Sequence, residues 1–266
     1  MEHVLALSYG KDSIACLGAI KQLNLPLDRI VHAEIWATDT IPADLPPMVE
    51  FKKKADKIIK EKTGIKVEHY HCTNLDGEVR DKITYETGFY HILTKGKNKG
   101  SIKGFPLQKG NWCQKLKVNT VSKMTNKDDI RYLGIACDEE SRFKDLNDKN
   151  ISPLVLANWS EADAKQWCIE NDLLSPIYNT EIRGGCWFCH NQGIEALRRL
   201  RHSYPEYWDM LLKWDNDSPV PFRADGHTVH DFELRFEMED NGLIPKDKSF
   251  RWKMLEQPQM IMEEFK

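Results

Sequence analysis

The sequence predicts an α/β protein, a parallel sheet flanked by helices, on three observations. An apolar run at residues 3–7 passes through a tight polar loop into an apolar stripe at helical spacing. Strand and helix patterns then alternate β-α-β-α-β as far as His71, the order of a parallel sheet built by crossovers. Polar and small residues crowd behind the ends of the candidate strands, where such sheets place their ligands.

The first strand, residues 3–7, leads into Ser8-Tyr9-Gly10-Lys11-Asp12-Ser13, and Ile14, Leu17, Ala19, Ile20 and Leu23 mark the helix beyond. This layout aims backbone N–H groups and a helix N-terminus at a phosphate. Lys11 would add a positive charge, and Ser8, Asp12 and Ser13 hydroxyls, a cap and a carboxylate. The loop lacks the G-x-x-x-x-G-K-[ST] spacing of a Walker A sequence. The competing reading is a lysine in an ordinary βα turn.

A second strand spans residues 29–37 and ends in Thr38-Asp39-Thr40; Pro42, Pro46 and Pro47 then break the chain. Met48, Phe51, Ala55, Ile58 and Ile59 predict an amphipathic helix closed by Gly64, before a third strand at residues 65–71. Residues 73–111 interrupt the rhythm as an insertion or lid. From Thr94 to Val118 stand Lys95, Lys97, Lys99, Lys103, Lys109, Lys115 and Lys117 without one acid, among Gly96, Gly100, Gly104 and Gly110. Such a run is either a solvated face or a grip on an anionic partner, a phosphorylated substrate or a nucleic acid, and Arg198, Arg199, Arg201 and His202 would extend it.

A fourth strand at residues 130–136 ends in Cys137-Asp138-Glu139-Glu140-Ser141-Arg142. Ser160, with Asp163 in the first turn, caps a helix ending near Asn171. A cysteine turn at 184–189 precedes helices around 192–202 and 205–214, and Trp214, Phe222, Phe232, Phe236, Phe250 and Trp252 predict a packed tail. The expected organisation is a nucleotide-binding domain at 1–150, carrying the insertion, and a Cys-containing helical region with a C-terminal extension at 151–266.

At 266 residues, 41% hydrophobic and 30% charged, the chain holds enough apolar surface for one large domain or one with an appendage. A formal net charge of −3 supplies no global field for nucleic acid or membrane, so any such partner needs a local patch. No apolar run approaches the ~20 residues of a membrane span, and Met1-Glu2-His3 carries no signal-peptide pattern. The expectation is a cytoplasmic protein with no membrane partner.

Seven cysteines, spread apart from one C-x-x-C pair, fit thiols and a metal better than a disulfide framework. Cys186 and Cys189, on a glycine turn, make half of a tetrahedral zinc or iron–sulfur site; Cys113 and Cys168 are the candidate partners. Cys186–His190 also spells C-x-x-C-H, the haem attachment pattern, without the export signal that usually accompanies it. A thioredoxin-like dithiol would follow the first strand rather than come late in the chain. The pair can also be buried and inert. Cys16 and Cys72 are expected in or beside the core.

Four segments together resemble one family: residues 8–13, 112–117, 134–142 and 152–192. The first is similar to the S-G-G-K-D-S/T loop of the PP-loop ATP pyrophosphatases, in the adenine-nucleotide alpha-hydrolase superfamily, with Tyr9 at the first usual glycine. The third and fourth are similar to the G-I-x-A-D-E-x-x-R and G-C-W-x-C-P-x-Q segments of its PAPS-reductase-like branch, common in phages and mobile elements; His190 stands where proline is usual. The resemblance implies a Rossmann-like, HUP-type sheet with a Cys-rich metal-binding element and a helical C-terminal extension. It implies that Ser8, Tyr9, Gly10, Lys11, Asp12 and Ser13 hold the phosphates of ATP or PAPS, with Mg²⁺ at Asp12. Asp39 would contact adenosine, Asp138 and Arg142 would face the same crevice, and Lys11, Asp12 and Arg142 would act in catalysis.

The assimilatory reductases carry a catalytic cysteine near the C-terminus; here no cysteine follows Cys189. That places the chain nearer the ATP-using sulfurtransferase relatives, which adenylate a substrate, release pyrophosphate and take sulfur from a donor protein. The cluster, iron–sulfur or Zn²⁺, would carry the sulfur in the first case and be structural in the second. The alternatives are a PAPS or APS reductase and a non-catalytic nucleotide sensor in a phage or defence system.

Overall fold

A computed structural model describes residues 1–106, 112–179 and 185–255. Lys109, Gly110, Gly184 and the tail from residue 256 onward lie outside the described residues. The order is β1 (His3–Ala6), α1 (Lys11–Gln22), β2 (Arg29–Glu34), α2 (Pro46–Thr63), β3 (Val67–His71), β4 (Asn74–Leu75), β5 (Glu78–Val79), α3 (Tyr85–Phe89) and α4 (Trp112–Met124). Then come β6 (Ile130–Tyr132), β7 (Asn150–Ile151), α5 (Pro153–Leu156), α6 (Glu161–Glu170), α7 (Ile194–Ser203), α8 (Pro205–Asp217) and α9 (Val229–Asp240). The main sheet runs β3-β2-β1-β6-β7, all parallel. It is an α/β sheet flanked by helices, consistent with a Rossmann-like fold. No helix among the described residues is long and apolar enough to cross a membrane.

The strand order creates the site. From β1 the chain steps outward to β2 and β3, then returns through α4 to β6 on β1's other side. The connections therefore diverge at the carboxyl ends of β1 and β6, the crevice where open parallel sheets bind ligands. β1 is central, and its Val4 and Leu5 are fully buried.

Local chemistry explains the elements. In α2, Pro46 and Pro47 occupy the first positions, where a missing N–H costs nothing, and Met48, Phe51, Ala55 and Ile59 face the core. Gly64 ends it at φ 75°, the left-handed geometry that glycine adopts freely. Ser160 and Asp163 form a reciprocal capping box on α6. Helix α1 differs: every residue from Ser13 to Ile20 is buried. Gly18 lets α6 come close, since a β-carbon there would lie 2.5 Å from the Trp167 indole.

Two strands are shorter than the apolar runs suggested. β2 stops at Glu34 because Ala37 turns back to bond the Ile41 carbonyl. β6 stops at Tyr132 because Gly134 tucks under the start of α1, where a β-carbon would meet the Ser13 nitrogen at 2.4 Å. The Ile135 carbonyl beyond it accepts from the Ser152 hydroxyl.

The chain divides into two compact units, residues 1–88 with 112–187 and residues 89–111 with 188–266. These units divide the chain differently from the boundary expected at residue 150. Leu154, Ala164 and Cys168 belong to the same buried cluster as β1 and α1, so α5 and α6 complete the first unit. The insertion expected at 73–111 is also split, with β4 and β5 in the first unit and residues 89–111 in the second.

The second unit holds α7–α9 over an aromatic core in which Phe89 meets Phe105, and Phe105 meets Phe222. Its lysine segment is a hairpin: Leu93 N–H donates to the Ser101 carbonyl and Lys103 N–H to that of His91, with Ile92 bridged to Ile102. Lys95, Lys97 and Lys99 are exposed at its tip. The expected basic extension from α7 is not present at Arg198 and Arg201. Arg198 pairs with Glu195 and Glu239, and Arg201 with Glu233 and Asp240, so their charges are spent within the unit.

The approach of Gly134 to α1 sets a stability test. Gly134→Ala should cost about 1–3 kcal/mol or more, because backbone rather than a movable side chain is in the way. Gly193→Ala, where an added carbon meets nothing within 4 Å, should cost under about 1 kcal/mol. Urea unfolding of both variants compares them.

Candidate functional site

The loop between β1 and α1 is braced internally. The Ser13 hydroxyl donates to the Gly10 carbonyl at 3.0 Å and accepts from the Ser8 N–H and hydroxyl at 3.1 and 2.9 Å. Gly10 is the N-cap, and its carbonyl receives the Ile14 N–H at 3.1 Å. The N–H groups of Lys11, Asp12 and Ser13 therefore precede the first helical hydrogen bond and point out of the helix end. Tyr178, on a short 3-10 turn at Pro176–Asn179, accepts from the Lys11 N–H at 2.9 Å.

Lys11 does not project freely. Its ammonium donates to Asp12 Oδ1 at 2.7 Å and to Glu161 Oε1 at 2.6 Å. Burial pulls its pKa down, but these two bonds outweigh burial and leave it above the ordinary lysine value. Burial raises the Asp12 carboxyl more than Lys11 lowers it, with Glu139 and Glu161 adding repulsion. The result is one cation shared by two carboxylates at a helix N-terminus.

The other expected site residues are placed as follows. Asp138 accepts the Glu161 N–H, at 3.0 and 3.3 Å, and so positions the start of α6. Arg142 bonds both oxygens of Glu139, at 2.9 and 3.0 Å, and its side chain is half exposed. That charge is engaged beside the crevice rather than at Lys11. Asp39 is exposed beyond β2, and Lys82 donates to its backbone carbonyl. Tyr9 needs a correction: its side chain leaves the loop entirely and is buried, with its hydroxyl on Asp56 of α2.

Behind the loop lies a polar network that the strand patterns only hinted at. His32 and His69 are paired neighbours on β2 and β3. The His32 Nδ1 lies 2.8 Å from the Leu7 carbonyl and its Nε2 2.9 Å from the Lys52 ammonium. A carbonyl only accepts and an ammonium only donates, so His32 is neutral with its proton on Nδ1. Burial first, then Lys52, brings its pKa down to about 3. His69 is the opposite case, with Asp56 3.0 Å from Nε2 and Glu34 3.1 Å from Nδ1. Two acceptors demand two protons, and these bonds raise its pKa to about 9.

The candidate metal cysteines are placed as follows. Cys168 is fully buried, and its thiol donates to the Lys11 carbonyl at 3.3 Å, supporting the loop from inside the core. Burial pushes that thiol up to about 12. Cys113 lies on α4, and Cys186 and Cys189 stand three positions apart in the segment before α7. Among the described residues, no three His, Cys, Asp or Glu side chains form a group able to hold a metal ion.

Glu161, Tyr178, Asp56 and His69 were not expected at the site. Glu161 carried a signal, an acid in the first turn of a capped helix, but nothing local tied it to Lys11, 150 positions away. The alternation that puts His32 and Glu34 on one face of β2 was the only sequence sign of the network. No protein-family model and no curated protein matches the chain.

The His69 ion triplet predicts a pH dependence. Its pKa is raised from 6.5 to about 9 on folding, so the folded state holds more protons in that window and stability falls as pH rises. The contribution is complete below pH 6.5 and lost through pH 9. Urea midpoints between pH 6 and pH 10 should decline, and His69→Gln should flatten the decline; a parallel decline in the variant would refute the assignment.

Proposed function

We propose that this chain is a PP-loop-type enzyme that binds ATP at the N-terminus of α1. It would activate an acceptor oxygen as an adenylate, release pyrophosphate and so prepare sulfur transfer to a nucleic acid or small molecule. The observation that carries this reading is the position of Lys11 and the first-turn N–H groups at the divergence point of the sheet.

In this reading the β- and γ-phosphates meet the outward N–H groups and the Lys11 ammonium, leaving the α-phosphorus open to attack. Charge building on pyrophosphate is stabilised by Lys11 and the helix end. Phosphate oxygens replace the carboxylates now on Lys11, so Asp12 and Glu161 become available to Mg²⁺, which is ordinarily held by one or two carboxylates plus phosphates. Mg²⁺ supplies charge neutralisation on the leaving group. Sulfur would come from a donor protein. Cys168 would serve the loop's backbone through its bond to the Lys11 carbonyl.

Turnover separates this from its rivals. Pyrophosphate should be released from ATP in the presence of the right acceptor, and Lys11→Ala should reduce that release by about a hundredfold or more. Saturable ATP binding without release under any condition would favour a nucleotide sensor, and sulfite from PAPS would favour a reductase.

The lysine hairpin supports an anionic acceptor. Lys95, Lys97 and Lys99 stand exposed in a segment without acids. Replacing all three by alanine should weaken binding of a single-stranded oligonucleotide and make its log K–log salt slope shallower by about 2. An unchanged slope would show that the hairpin does not bind nucleic acid.

A further inference from the structure

We propose that Tyr9 is a positioning residue for the phosphate loop. Its buried hydroxyl, tied to Asp56, holds position 9 in left-handed geometry and thereby fixes the turn that aims the first turn of α1. The role in ligand binding rests on the nucleotide reading above; the effect on loop geometry does not.

Tyr9 has φ 58° although it is not glycine. A bulky residue avoids that region and keeps it only where its surroundings over-determine it. Here they do. The side chain is wholly buried, its hydroxyl donates to Asp56, and the His69 Nε2 lies 3.3 Å away. The ring stands edge-on to His32, with centroids 4.7 Å apart, and the Lys52 ammonium lies 5.2 Å from the ring centre.

The anchor is itself anchored. Asp56 is held by His69, His69 by Glu34, and Glu34 by the Trp36 indole at 3.1 Å. In parallel, His32 holds the carbonyl of Leu7, and Lys52 joins His32 to Asp44. Leu7 and Tyr9 flank Ser8, so the chain is pinned on both sides of the first loop residue. The loops that this one resembles have a glycine at position 9, which permits the turn without enforcing it. A tyrosine that can hold the geometry only through its side chain makes the loop stiffer, and a stiffer loop loses less freedom when a phosphate binds.

Amide hydrogen exchange at residues 8–14 without ligand, together with ATP titration, tests this. Tyr9→Phe keeps the ring and removes the hydroxyl. It should speed exchange at 8–14 by about tenfold and weaken ATP by about three- to tenfold. Leu116→Ala, a cavity on the buried face of α4 and outside the cluster that holds Tyr9, is the control for general destabilisation and should change neither. Unchanged exchange at 8–14 in Tyr9→Phe would overturn the proposal, as would faster exchange with unchanged ATP affinity, or an equal effect of Leu116→Ala. Should Tyr9→Phe fail to fold, Asp56→Asn, which keeps tyrosine and weakens its acceptor, is read the same way. If the wild-type chain takes up no ATP, the nucleotide reading falls, and the exchange comparison still decides whether Tyr9 sets the loop.

Discussion

Helix α1 is buried from Ser13 to Ile20, and the N–H groups of its half-buried first turn find partners within the chain or in a ligand. Water cannot freely satisfy a helix end set between a central strand and two covering helices, and unmet N–H groups there would be costly. The chain answers with local groups: the Ser8–Ser13 brace inside the loop and the Tyr178 hydroxyl on the Lys11 N–H. Much else serves that burial. Gly134 exists as glycine because α1 starts against its α-carbon, and Gly18 because α6 lies on it.

Charge is arranged differently on the two sides of the loop. In front, Lys11 is shared by Asp12 and Glu161, and the Glu161 side chain is 52% exposed. The Glu161 end of that pair is open to water, where ion pairs contribute little. Behind, the Tyr9–Asp56–His69–Glu34 chain has a partner at every step and fixes geometry. Removing one member of such a network strands the next, which is why it acts as a unit. The loop thus has a fixed back and a front open to water at Glu161.

Wherever one local rule governs, the sequence is readable. The β1–loop–α1 passage, the glycine stop at Gly64 and the Ser160–Asp163 cap each depend on neighbours within a few positions, and each forms. Helix α4 was not foreseen because lysines dilute its apolar face: only Trp112, Leu116, Thr120 and Met124 are buried. β6 was overread because apolar residues continue past the strand as a buried turn rather than as more strand. Arg198 and Arg201 of α7 read as a basic surface in sequence, but Glu195 on the same helix and Glu233, Glu239 and Asp240 of α9 pair with them.

The loop between β1 and α1, the parallel α/β order and the lysine-rich segment are determined by the sequence alone, because periodicity, small-residue turns and charge are properties of adjacent positions. Which side chains meet the loop was decided only by tertiary structure. Tyr9 turns away from the site it was expected to line, Glu161 arrives at Lys11 from a distant helix, and Cys168 supports the loop's backbone from the core. The physical reason is common to all three. A polar atom that folding removes from water takes the partner the packing provides, and the packing of α1, α2 and α6 on one sheet is written in no single stretch of chain.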